Sequence, residues 1–98
     1  MRTMNVRAQI LISGRVQGVF FRFKILNVAK NQNVTGWVQN TSDGRVKALF
    51  EGEKKDVKNL IDFCRSGPPL AKVSKVDVQW KEYIGQFKKF NIRRSNNI

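Results

Sequence analysis

The stretch Gly14-Arg15-Val16-Gln17-Gly18-Val19-Phe20-Phe21-Arg22 joins an alternating apolar segment to an amphipathic one. Two glycines bracket its turn, and Arg22 stands where the next helix begins. Glycines let backbone N–H groups crowd around a ligand. A helix start adds unpaired N–H donors and the positive end of the macrodipole, a natural seat for an anion. A cation in that same turn opposes the dipole, at roughly 0.3–1 kcal/mol. A bound phosphate would neutralise both, so the stretch is a candidate phosphate cradle. Its donors are the Arg22 guanidinium and the backbone N–H groups of Gln17, Gly18, Val19, Phe20 and Phe21. The nucleotide-hydrolysing P-loop is excluded, because no Gly-Lys-Ser/Thr follows Gly18. Arg15, Gln17 and Arg22 exclude a Gly-x-x-x-Gly membrane-packing face.

The rest of the chain limits which reaction such a cradle can serve. Among 98 residues there is no histidine, which removes imidazole bases, Ser-His and Cys-His pairs and the usual zinc ligand. Acidic residues are few and unclustered: Asp43 in a turn, Glu51 and Glu53 around Gly52, Asp56 and Asp62 on a helix. No metal or cofactor is expected. Cys64 falls on the apolar face made by Val57, Leu60 and Ile61, so it reads as core filler rather than nucleophile. An enzyme built from these residues positions and polarises rather than trading protons, which suits a substrate that is already activated.

Hydrophobic spacing supplies the elements that must hold the cradle. Residues 6–13 alternate, with Val6, Ala8, Ile10 and Ile12 on one face, and read as a strand. Phe21, Ile25, Val28 and Ala29 follow helical spacing, and Asn31-Gln32-Asn33 ends that helix. Thr35–Asn40 and Arg45–Glu51 form a hairpin around Thr41-Ser42-Asp43-Gly44. A second helix runs roughly from Lys54 to Arg65, with Gly67 suited to a left-handed end. Pro68-Pro69 then forces extended chain. Val76, Val78 and Trp80 alternate in a fourth strand, and Lys88, Phe90 and Ile92 make a short final one. The tail after Arg93 is expected to fray.

This order is the α+β, ferredoxin-like split βαβ sandwich (βαββαβ), two helices on one face of an antiparallel sheet with a short extra C-terminal strand. In it the first and second strands are parallel, with the third between them. Their C-terminal ends share one edge, which brings Asn40 to the cradle. By itself Asn40, beside Thr41-Ser42-Asp43-Gly44, reads as a turn-former before it reads as a catalyst.

Length and composition bound the rest. A chain of this size is one domain, residues 1–98, with an ordered core over about 6–93. Ile10-Leu11-Ile12 is too short for a signal peptide, and a single cysteine allows no internal disulfide. A cytoplasmic monomer is expected. Nineteen Lys and Arg against seven Asp and Glu give a net charge of +12, fit for nucleic acid or for drawing small anions to a site. The basic residues are scattered and do not interleave with Trp37 or Trp80, which read as core or half-exposed sheet positions. Nucleic acid is therefore not the expected partner.

The cradle string resembles the signature of the acylphosphatase family. Gly36-Trp37-Val38-Gln39-Asn40-Thr41, followed by Gly44 and Val46, resembles a second family element. Gly67-Pro68-Pro69-Leu70-Ala71-Lys72-Val73 looks like the linker before the fourth strand, and Phe90-Asn91-Ile92 like the closing strand. The similarity runs from about Val6 to Arg93 in the family's order. It implies the same fold and hydrolysis of the carboxyl–phosphate bond of acyl phosphates to carboxylate and inorganic phosphate. It further implies catalytic roles for two residues, Arg22 binding phosphate and Asn40 orienting water, with no metal and no covalent intermediate. Inorganic phosphate or sulfate is then an expected competitive ligand. Phe20 stands where the family often has a smaller residue, and no histidine precedes the first strand. Phe20 and Phe21 are expected to pack, and Arg15 to be structural or at the surface. The alternative is a non-catalytic ferredoxin-like module binding nucleic acid or another anionic partner, although Arg45–Phe50 lacks the aromatic RNA-binding signature.

Overall fold

Ala8, Ile10 and Ile12 are fully buried on one face of the first strand, and the same alternation buries Val46, Ala48 and Phe50 in its neighbour. The computed structural model describes residues 4–94. Its elements are β1 (Asn5–Arg15), α1 (Phe21–Asn31), β2 (Thr35–Asn40), β3 (Val46–Glu53), α2 (Lys54–Ser66), β4 (Lys72–Lys81) and β5 (Phe90–Ile92). The expected fraying tail lies largely outside the described residues.

The strands form one sheet in the order β4-β1-β3-β2-β5. Because β1 and β2 each pair antiparallel with β3, they run parallel to one another, as the sandwich requires. The sheet is mixed rather than wholly antiparallel, since β5 pairs parallel with β2, Gly36 opposite Phe90. Both helices lie on the face of Ala8, Ile10 and Val38. Helix α1 covers β2 and β5, and α2 covers β1, β3 and β4. Phe21, Ile25 and Ala29 of α1 and Val57, Leu60, Ile61 and Cys64 of α2 fill the layer between. Trp37 is half-buried on the opposite face beneath the Arg93 guanidinium, 4.4 Å from its ring, and Trp80 is half-exposed on an edge strand.

The segment after α2 departs from the expected extended chain. Ala71 N–H donates to Pro68 O at 2.9 Å, closing a turn over Pro68–Ala71. Pro69 sits at its second position, where the fixed proline φ favours a turn.

On the sheet face away from the helices, residues 82–89 carry the chain from the β4 edge to the β5 edge. Glu51 holds that crossing. It is fully buried, and its Oε2 accepts from Arg7 Nη1 at 3.0 Å, Ile84 N–H at 2.9 Å and Gly85 N–H at 3.3 Å. Burial pushes this carboxyl up, but the Ile84 N–H, the Arg7 guanidinium and the Gly85 N–H outweigh it and hold it below its ordinary value. A depressed carboxyl stabilises the fold above its unfolded pKa, and that contribution is lost as pH falls through the folded value. Arg7→Ala strands the charge and is expected to cost about 3 kcal/mol, the low end for a broken buried pair because two backbone donors remain. Urea unfolding checks this: the penalty shrinks in acid, where Glu51 is protonated in the variant. A pH-independent penalty would mean that Arg7 acts by packing alone.

Candidate active site

The two glycines that frame the cradle serve different ends. Gly14 lies within β1, at φ +123°, where a register shift between Ser13 and Gly14 brings β4 close. A Cβ there would sit 2.1 Å from Lys72 O and 2.7 Å from Ser74 N, so only glycine admits the pairing. Its role is strand packing, not ligand approach. Gly18, at φ +72°, has nothing among the described residues within 4 Å of a hypothetical Cβ. It turns the loop and leaves open space in front of its backbone.

Val16, Val19 and Phe21 anchor the loop in the core, at 1%, 8% and 1% exposure, and Phe21 meets Phe63 edge-to-face with centroids 6.1 Å apart. Phe20 does not pack as expected. It is the N-cap of α1, in the left-handed region at φ 62°, ψ 20°, and is 66% exposed. Turning the chain between two core anchors leaves its ring outside. An aromatic residue in this region carries strain of about 1–3 kcal/mol.

Phe20 makes no side-chain cap, and the first turn of α1 holds no acidic residue, so neither offers the leading N–H groups an acceptor. Arg22 sits in this turn, half-buried. Among the described residues the ion pairs are Arg7–Glu51, Arg45–Asp43 and Lys75–Asp77, and Arg22 belongs to none of them.

Asn40 closes β2, on the helix-side face two residues past the fully buried Val38. Its Oδ1 is buried and, among the described residues, accepts no hydrogen bond. The turn beyond it is tied down by Thr41 N–H to Arg45 O at 2.8 Å and by the Asp43–Arg45 ion pair. Hydrogen bonds from the Arg45 guanidinium and the Thr41 hydroxyl hold the Asp43 carboxyl at about 2.

Arg22 and Asn40, eighteen residues apart in sequence, line one cavity of about 190 Å³ with Val16, Gly18, Phe20, Phe21 and Phe23. Gln17 and Val19, expected to donate backbone N–H groups, do not line it. Val19 packs inward, and the Gln17 side chain braces the loop to the hairpin, donating from Nε2 to Thr41 O and Arg45 O, both at 2.8 Å. That brace is not legible locally, because its partners lie 24 and 28 residues away. Arg15 is exposed at the end of β1. Cys64 is fully buried, and desolvation pushes its thiol well above the ordinary range, so it is inert.

These features define a ferredoxin-like α+β protein with an arginine-bearing, uncapped helix start facing an asparagine across one small cavity. The acylphosphatase family model matches residues 8–92. The chain is 45% identical over 88 residues to an acylphosphatase of Pelotomaculum thermopropionicum, spanning 90% of this chain and 96% of that one. It is 49% identical over 86 residues to an acylphosphatase of Roseiflexus sp., spanning 88% and 92%. A crystal structure of acylphosphatase from Bacillus subtilis superposes with a TM-score of 0.86 at 32% identity, over 90% of this chain and 98% of that one. The chain belongs to the acylphosphatase family. Membership makes it an enzyme acting on acyl phosphates, which sets aside a non-catalytic module. No helix among the described residues is long and apolar enough to cross a membrane.

Proposed function

We propose that this enzyme cleaves acyl phosphates by direct attack of water on phosphorus, without a metal or a covalent intermediate. Arg22 and N–H groups from Gly18 to the first turn of α1 hold the phosphoryl oxygens, and Asn40 orients the water. The observation that carries this reading is that Asn40, whose buried Oδ1 has no hydrogen-bond partner among the described residues, lines the same cavity as Arg22. Leaving a buried acceptor unsatisfied costs about 1–3 kcal/mol, and a water donating one proton to it removes that cost. The same hydrogen bond turns a lone pair of the water toward phosphorus.

The electron bookkeeping is short. The water oxygen forms a bond to phosphorus as the phosphorus–acyl oxygen bond breaks. The carboxylate leaves with its electron pair and needs no acid, and both protons of the water end on the phosphate, which is formed as dihydrogen phosphate. Charge on the equatorial oxygens is met by the planar guanidinium fork and the helix-start donors. Two observations support the absence of further chemistry. Among the described residues, no carboxylate, thiol or hydroxyl side chain lines the cavity, so none of them places a nucleophile there. Among the described residues, no group of three or more acidic or cysteine side chains is arranged to hold a metal.

Benzoyl phosphate hydrolysis, followed by ultraviolet absorbance, tests the reading directly. The rate is expected to be the same with and without a chelator. Inorganic phosphate and sulfate are expected to inhibit competitively and to raise the melting temperature together, because an anion that binds only the native state must stabilise it. At a hundred times its Kd the stabilisation is about 2.7 kcal/mol. Phosphate that neither competes nor shifts the melting temperature would overturn the cradle.

A further inference from the structure

We propose that Phe20, Phe23 and Leu70 form an acyl-binding subsite beside the phosphate cradle, selective for apolar and above all aromatic acyl groups. A groove of about 430 Å³ runs between the start of α1 and the turn before β4, lined by Phe20, Phe23, Leu70, Pro69 and Lys24 among others. Phe20 and Phe23 also line the cavity that holds Arg22 and Asn40. The two spaces therefore share a wall of two aromatic side chains. Three residues apart across the helix start, they lie on neighbouring surface of α1.

Exposure gives the groove its chemistry. Phe20, Phe23 and Leu70 are 66%, 56% and 64% exposed, an apolar cluster on a strongly basic protein. Burial does not explain them, and Phe20 is moreover held in a left-handed conformation that asparagine or glycine would adopt with less strain. An exposed, strained aromatic between two cavities marks a functional wall rather than a packing residue. The occupant follows from the substrate. An acyl phosphate has an anionic end and a carbon end, joined by one oxygen. With the phosphoryl group on Arg22 and the helix-start amides, the acyl carbon leaves the cradle past the phenylalanine rings. Apolar walls with a few polar groups at the rim suit an apolar acyl chain or ring.

This subsite rests on acyl phosphate being the substrate, and the test separates the two claims. The measurement is kcat/KM for benzoyl phosphate and for acetyl phosphate, in the parent enzyme and in Leu70→Ala and Phe23→Ala. Comparing ratios between variants cancels the intrinsic reactivity of each anhydride. Leu70 lines the groove but not the cradle cavity, and Leu70→Ala is expected to lower the benzoyl/acetyl ratio severalfold. Phe23→Ala is expected to lower that ratio by about tenfold. Inhibition by phenylphosphonate against methylphosphonate gives the same comparison without chemistry, and its ratio should fall in parallel. A ratio unchanged within about twofold in both variants overturns the subsite while leaving the hydrolase intact. A parent enzyme that hydrolyses neither substrate overturns the reaction and the subsite together.

Discussion

Arg22→Ala is expected to lower acyl phosphate hydrolysis roughly 10²–10³-fold, a loss of ~2.7–4 kcal/mol of transition-state stabilisation, in a protein that still folds. The two halves of this expectation have separate physical grounds. The rate falls because the guanidinium is, among the described residues, the one cationic side chain on the cavity shared with Asn40. Charge on the transferring phosphoryl group would then meet only backbone dipoles. The fold survives because Arg22 is half-buried, forms no ion pair among the described residues, and contributes nothing to the core of Phe21, Ile25 and Ala29. Removing a cation from the first turn even relieves its conflict with the dipole, by roughly 0.3–1 kcal/mol. Thermal melting beside steady-state kinetics reads both. Arg22→Lys is not expected to rescue the rate, since an ammonium lacks the planar fork that meets two phosphoryl oxygens at once. A folded Arg22→Ala protein with near-parental activity would remove the guanidinium from the reaction.

Asn40→Ala is expected to separate chemistry from binding. If its Oδ1 orients the attacking water, kcat collapses, while phosphate, held by Arg22 and the loop, keeps its affinity within a few-fold. Stability falls only a little, far less than for a core truncation, because the following turn is secured independently by Thr41, Asp43 and Arg45. The decisive comparison is kcat against the inhibition constant of phosphate in the same folded variant. An unchanged kcat would return Asn40 to the role of a turn residue. Equal losses of rate and affinity would make it part of the cradle.

Both variants act on residues that stand out in the amino-acid sequence. Arg22 does so because a cation in an uncapped first turn is locally unfavourable, and Asn40 because a family motif ends a strand on it. Helical spacing from Phe21 and alternation from Val6 place both at the ends of elements, and parallel β1 and β2 bring those ends together. Local pattern misleads at two neighbouring positions. It makes Gln17 a backbone donor on the cavity, yet Gln17 does not line it, and its side chain spans to Thr41 and Arg45. It makes Phe20 a packing residue, yet the exposed Phe20 ring walls both cavities.

What the sequence by itself determined is what depends on neighbours within a few residues: the two periodicities, the turn chemistry of Thr41–Gly44, the helix start and its misplaced cation. The tertiary structure alone decided what depends on partners far along the chain. Glycine at position 14 is required by a β4 carbonyl 2.1 Å from where its Cβ would be, and only the Ser13/Gly14 register shift creates that contact. Glu51, one of seven acidic residues and inconspicuous in the local pattern, becomes the buried post for residues 82–89 because Arg7 lies opposite it across 44 residues. The direction of β5 likewise follows from where that crossing delivers the chain. Local periodicity carries no record of such pairings, because they are selected by which faces and edges remain unsatisfied once the sheet has formed.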